Sequence, residues 1–182
     1  HQMMFNTYNY MRTGKSINSP WASVPGTTET PYMSCRRAYH IFMTDGAWNG
    51  QSAAVRPGNT DNNNITLPDT TVYNVASDQS NVYKGATGDL LADWAMRMWA
   101  EDLQPTIPDD LKPSTTDGVP AIETHGAVNL QRYWNPKHNP ARWQHLVHYT
   151  IGYGTDAYSW PSAPNWDLVN DDNYGGDYTK LV

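Results

Sequence analysis

Two short stretches of almost continuous apolar and aromatic residues dominate the hydrophobic pattern of the chain. Residues 37–44 (RAYHIFMT) end abruptly at Asp45 and Gly46, and residues 146–153 (LVHYTIGY) form the second stretch. Apolar runs of this length, ended by turn residues, are typical of buried strands in a parallel sheet. The pattern therefore predicts two such strands, far apart in the sequence.

Residues 89–103 show the clearest helical periodicity. Apolar side chains recur there at helical spacing and form one stripe, namely Leu91, Trp94, Ala95, Met98 and Trp99. Thr87 is a candidate for the N-cap, and Pro105 is expected to stop the helix. The looser apolar spacing of residues 1–13 predicts the end of another helix, closed by Gly14.

The remaining segments are polar and rich in turn residues. Residues 49–88 and 104–139 are predicted to be two long, loop-rich inserts, with residues 71–75 able to pair as an edge strand. Asp61 and the asparagines that follow it are expected to face solvent. Residues 140–145 are expected to form a short helical turn before the second apolar strand.

A helix between two strands predicts a βαβ arrangement and hence an α/β fold with a parallel sheet. Two strands make a poor parallel sheet, because its faces and edges need cover. We therefore expect residues 1–182 to be the later part of one doubly wound domain that is incomplete in this sequence. An isolated domain with unusual edge strands is the competing interpretation.

The charge and the amino-acid composition of the chain exclude some classes of protein and favour others. A net charge of −6 argues against binding to a phosphate backbone. Aromatic residues make up 12% of the chain, which favours a packed core over disorder. Polar loops and abundant Tyr and Trp suit an exported protein, and no apolar run is long enough to cross a membrane. The single Cys35 is expected to be free or paired outside this sequence.

Asp45 is the best candidate for chemistry. In open α/β sheets, ligands bind beyond the carboxyl ends of the strands, and a carboxylate there can hold a hard cation. The plainer alternative is that the Asp-Gly step only makes a turn. Trp48 and Asn49 follow within the same loop, where an exposed Trp could stack on a sugar or anchor a partner, or could fold back over the sheet edge.

Other clusters point to no site. Residues 170–175 resemble a calcium loop in composition but lack the required Glu, since Leu181 stands at that position. His145 and His148 would lie on opposite faces of a strand, which does not suit a shared zinc ion, and packing or surface roles are expected for them and for His138. No sequence motif for nucleophilic catalysis or phosphate binding is present.

Four blocks resemble the PilY/PilC-type tip-adhesin and assembly proteins of type IV pili. They are residues 34–50 (SCRRAYHIFMTDGAWNG), 90–105 (LLADWAMRMWAEDLQP), 139–154 (NPARWQHLVHYTIGYG), and the short pieces 159–161 and 176–178. The resemblance implies that the first block contains the fourth strand of a von Willebrand factor A-like domain, a Rossmann-type parallel sheet with helices on its faces. The other blocks would supply the next helix and strand.

The resemblance also implies a metal-ion-dependent adhesion site. Of its three loops, only the Asp after the fourth strand has a counterpart here, at Asp45, so a divalent cation (Mg²⁺ or Ca²⁺) would have an incomplete site. The implied function is non-enzymatic: adhesion to a host surface receptor or glycan, or binding of pilus subunits, in support of pilus assembly. The implied location is the cell surface or the extracellular pilus tip.

Two other functions remain open at this point. A secreted carbohydrate-binding module would explain the Trp, Tyr and Asn content, but it would be expected to form a β-sandwich. A metal-dependent α/β hydrolase would need a cation bound at Asp45. A packed helix at residues 89–103 flanked by parallel strands would argue against the carbohydrate-binding module, whereas the hydrolase is distinguished by cation binding that depends on Asp45.

Overall fold

The computed structural model describes residues 1–44, 55–77, 83–114, 120–125, 128–135 and 138–154. Its helices are α1 (Gln2–Met11) and α2 (Leu91–Ala100), with a short 3₁₀ turn at Arg132–Trp134. Its strands are β1 (Ala38–Thr44), β2 (Ile65–Thr66), β3 (Val72–Tyr73), β4 (Ile122–His125), β5 (Val128–Gln131) and β6 (Leu146–Gly152). No helix in these ranges is both long and apolar enough to cross a bilayer.

The two predicted apolar strands pair in parallel. Ala38 lies opposite Leu146 and Thr44 lies opposite Gly152, in unbroken register. Because parallel neighbours need a crossover connection, the chain between them passes through α2 and both inserts. The α/β class with a parallel sheet is therefore confirmed, as a small fold with a two-stranded parallel sheet and two helices.

The sheet is buried on one face only. Along β1, exposure alternates: Ala38, His40 and Phe42 turn inward, whereas Tyr39 is 52% exposed. The prediction of strands buried on both faces is thus wrong for the described residues. Both helices pack on the inner face, whereas the large side chains on the other face are exposed in the described part of the chain.

Helix α2 lies between two apolar clusters. The first cluster joins α1, α2 and the inner face of the sheet, and its buried members are Met4, Tyr8, Met11, Trp21, Leu91, Trp94, Met98, Leu103, Ile107 and Leu146. The second packs the opposite side of α2 against the two inserts and the segment before β6, and its buried members are Leu67, Tyr73, Met96, Ala100, Trp134, Ala141 and Trp143. The single predicted stripe therefore describes only part of the buried surface of α2.

The two inserts contain more structure than predicted. β2 and β3 form one antiparallel hairpin, which confirms pairing within residues 71–75, and β4 and β5 form another. Asp61 is buried rather than solvent-facing, and its own backbone carbonyl accepts a hydrogen bond from the buried Tyr73 hydroxyl (2.7 Å).

The segment before β6 is extended. Residues 140–145 form no helical turn, because their backbone pairs with the start of the second insert. The Leu103 amide donates to the Gln144 carbonyl (2.8 Å), and the Leu111 amide donates to the Arg142 carbonyl (3.0 Å). This pairing ties the end of α2 to the start of β6.

The N-terminus of α2 is capped by Asp93 rather than by Thr87. The helix begins one residue after Leu90, whose amide donates to Asp93 Oδ2 (2.9 Å). Asp93 Oδ1 also accepts hydrogen bonds from the amides of Thr60 (2.6 Å) and Asp61 (3.3 Å). A single buried carboxylate thus joins the helix start to the first insert. Pro105 does not define the other end, since the helix stops at Ala100.

We predict that Asp93→Ala lowers the free energy of unfolding by about 2–4 kcal/mol, because three backbone amides lose their acceptor in a buried site. Asp93→Asn should cost less, since it keeps one carboxamide oxygen. Urea unfolding of both variants measures the difference. Asp110→Ala, which removes an exposed hydrogen bond to Ser34, is the control; an equal loss in Asp110→Ala would contradict the capping role.

Candidate functional site

The carboxyl ends of β1 and β6 lie at the same edge of the sheet. Thr44 pairs with Gly152, and the amide of Tyr153 donates to the Thr44 carbonyl (2.9 Å) just beyond. Strand β1 therefore ends at the edge where open α/β sheets bind ligands. Asp45, Trp48 and Asn49 lie outside the described residues, so the roles predicted for them stay predictions.

The described residues do not form a cation site of their own. They contain no group of three or more His, Cys, Asp or Glu side chains placed to hold a metal ion. Hard cations need several oxygen ligands, so the described residues do not fit Mg²⁺ or Ca²⁺ without additional ligands. Residues 170–175, which resemble a calcium loop in composition, also lie outside the described ranges. Cys35 is exposed and free.

The outer face of the parallel sheet is the most unusual surface in the described part of the chain. We use "outer face" for Tyr39, Ile41, Met43, Tyr149 and Ile151, which are between 47% and 64% exposed. The Tyr39 and Tyr149 rings approach to 6.0 Å between centroids. Large contiguous apolar patches of this kind mark sites of contact with other protein surfaces. The apolar runs of the sequence predict buried strands, and the pattern alone does not show that one face of the sheet is exposed.

The inner face carries a pair of histidines in adjacent strands. His40 and His148 lie opposite each other in the register, with their Nδ1 atoms 3.0 Å apart. One Nδ1 must carry a proton and the other must accept it for this contact to be a hydrogen bond. His148 Nε2 is buried without a hydrogen-bond partner. Only the strand register brings these two residues together, so the pair is not predictable from the sequence pattern.

Burial keeps these histidines neutral. Desolvation lowers the pKa of His148 to about 3, and the neighbouring His40 adds to the shift. The pKa of His40 is also lowered by burial. His145 lies in a separate setting before β6, where burial lowers its pKa although its ring bonds the Trp143 carbonyl (2.8 Å). These are packed, neutral side chains, and His145 and His148 do not share a site.

Comparison with curated proteins shows extended similarity. The chain is 39% identical over 166 residues to "Type IV pilus biogenesis factor PilY1" of Pseudomonas aeruginosa strain PAK, and equally similar to the PilY1 of strain PAO1. It is 41% identical over 142 residues to the PilY1 of strain UCBPP-PA14. The first two alignments cover 91% of this chain.

The chain is similar to one part of PilY1. It spans 13% of the length of the first two PilY1 relatives, and 11% of the third. This similarity to PilY1 supports the predicted resemblance to the type IV pilus proteins. No protein-family profile matches the chain, and no solved structure matches it. The von Willebrand factor A-like assignment therefore stays a prediction.

We predict that acidification destabilises the protein through His148. In the unfolded chain this residue takes up a proton near its ordinary pKa of 6.5, whereas in the folded protein it does so only at about pH 3. Its contribution to stability is therefore complete above pH 6.5 and declines as the pH falls toward 3, by up to about 1.4 kcal/mol per pH unit.

Urea unfolding between pH 7.5 and 5 checks this prediction. His148→Phe should show a shallower fall in the free energy of unfolding than the unmodified protein. Tyr149→Phe, on the outer face of the same strand, should keep the original slope. Identical slopes in the His148→Phe and unmodified proteins would show that this histidine does not carry the effect.

Proposed function

We propose that the chain is a non-enzymatic contact segment of a type IV pilus-associated surface protein and supports pilus biogenesis by binding. Its similarity to proteins named as type IV pilus biogenesis factors supports the pilus role. The outer face of the sheet is the observation that carries the binding role. By this proposal the protein acts at the cell surface or the pilus tip, with pilus subunits or a host surface as its partners.

The proposed architecture is the later part of a von Willebrand factor A-like domain. Parallel sheets are normally covered on both faces, whereas Ile41 and Ile151 are exposed here. Burying such side chains is favourable by about 1.5–3 kcal/mol each when burial is complete. The apolar outer face therefore provides a strong driving force for contact with a further protein surface.

A carbohydrate-binding module is not favoured. Such a module would be expected to show two facing antiparallel sheets, whereas β1 and β6 are parallel and α2 lies between them in the chain. The two antiparallel hairpins in the described inserts are only two strands each. A glycan stays among the proposed partners of the loop that contains Trp48 and Asn49.

The contact role is tested in a type IV-piliated bacterium that carries the chain in its full-length protein. We expect the double substitution Ile41→Ser and Ile151→Ser to reduce the number of surface pili, counted by electron microscopy, because it removes apolar contact area. Met3→Ser with Tyr10→Ser is the matched control on α1, where the two side chains are 49% and 51% exposed.

Protein levels are measured by immunoblot in the same strains. Loss of pili in the outer-face variant with an unchanged protein level supports a contact role. Unchanged pilus number in the outer-face variant, or an equal loss in the α1 control, would argue against it.

The proposed cation at Asp45 is tested separately by calorimetric titration of the chain with Mg²⁺, Ca²⁺ and Mn²⁺. Asp45→Ala should abolish any binding, because it removes the carboxylate that would act as ligand. Asp110→Ala, an acidic residue of the described loop after α2, should leave binding unchanged. Cation binding that survives Asp45→Ala would refute the site.

A further inference from the structure

A cleft opens at the amino ends of β1 and β6, at the opposite edge of the sheet from Thr44. It measures about 160 Å³, and its walls include Arg37, Lys112, His138, His145, Tyr39 and Tyr149. Arg37 directly precedes β1, and His145 directly precedes β6. The cleft is therefore separate from the edge at which the cation and partner residues are predicted.

Two cationic side chains give the cleft its charge. Arg37 Nη2 donates to the Lys112 carbonyl (2.8 Å), which holds the guanidinium beside the Lys112 backbone. No carboxylate of the described residues forms an ion pair with either side chain. In a chain with a net charge of −6, two cationic residues that line one cleft and form no ion pair with a described carboxylate make it a local site for an anion.

The base of the cleft is held by a closed set of hydrogen bonds. Asn139 Nδ2 lies 2.7 Å from His145 Nε2, and Asn139 Oδ1 accepts from the Trp99 indole (3.2 Å). His145 Nδ1 contacts the Trp143 carbonyl, and the Trp143 indole donates to the Trp99 carbonyl (2.8 Å). These bonds hold the base of the cleft against α2. The cleft is therefore preformed, which lowers the entropic cost of binding.

His138 adds an unsatisfied polar group. Its side chain is only 6% exposed, yet neither ring nitrogen has a hydrogen-bond partner. Glu123 Oε2 lies 3.8 Å from His138 Nε2, beyond hydrogen-bond distance. Buried polar groups are normally paired, so this ring offers a donor or acceptor to a polar group that enters the cleft.

The cleft continues directly into the outer face. Tyr39 and Tyr149 belong to both, and Ile41 and Ile151 follow them along the two strands. A ligand that fills both must carry an anionic group at one end and apolar groups along its length. Exposed aliphatic side chains offer few hydrogen bonds to a sugar, whereas they match the apolar side chains of a peptide.

We propose that this cleft and the outer face together bind a peptide segment that has an acidic residue followed by apolar residues. The carboxylate lies between Arg37 and Lys112, where charge-assisted hydrogen bonds are available, and the apolar side chains cover Ile41 and Ile151. The proposal rests on the contact role proposed above for the outer face, and it names the chemistry of the partner.

Fluorescence anisotropy of labelled synthetic peptides on the purified chain tests the proposal. The probes are a blocked Glu-Val-Ile-Val peptide, its neutral Gln-Val-Ile-Val analogue, and N-acetylneuraminic acid as an unlabelled competitor. We expect the acidic peptide to bind about tenfold more tightly than the neutral one. Lys112→Glu should remove that preference, and Lys15→Glu, another exposed lysine, should keep it.

Thermal unfolding checks that each variant is folded. Arg37→Lys should retain the preference for the acidic peptide, because it retains the positive charge. Equal binding of both peptides, no binding of either, or a preference that survives Lys112→Glu would overturn the proposal. Displacement of the labelled peptide by N-acetylneuraminic acid at lower concentration than by the unlabelled acidic peptide would overturn it in favour of an acidic sugar. The pilus count in cells tests the contact role separately. Absence of peptide binding by the purified chain would overturn the peptide proposal without overturning the contact role.

Discussion

The burial of α2 on two sides is the constraint on which the rest of the structure depends. Met98 faces the cluster that contains α1 and the parallel sheet, whereas Met96 and Ala100 face the cluster built from the inserts. Because one short helix contributes to both clusters, the sheet and the inserts cannot separate without exposing it. Asp93 strengthens this link, since its carboxylate bonds the start of the helix and the backbone of the first insert at once.

The sheet differs from the helix in being only half covered. Its inner face packs Phe42 and Leu146 against the helices, whereas its outer face leaves Ile41 and Met43 exposed. Parallel strands with an uncovered apolar face are uncommon in isolated folds, and this imbalance is the physical basis of the contact role proposed here. The chain is similar to one part of a much longer pilus biogenesis factor, which agrees with a sheet face that contacts further protein.

The charge of the side chains differs between the inner face and the amino edge of this sheet. The inner face holds neutral histidines, because desolvation disfavours the charge on His40 and His148. The cationic residues Arg37 and Lys112 lie at the amino edge. A partner that lies along the outer face would therefore meet positive charge at that edge.

The sequence by itself determined the main elements and the family resemblance. Local periodicity was sufficient for α1, α2, β1 and β6, because each is a continuous segment with its own apolar pattern. Tertiary structure decided the rest: the bonds from Asp93 to the first insert, the burial of Asp61, the His40–His148 pair and the cleft beside Arg37 all join residues that are separated along the chain. Burial and electrostatic environment depend on which segments meet in space, and a one-dimensional pattern does not contain that information.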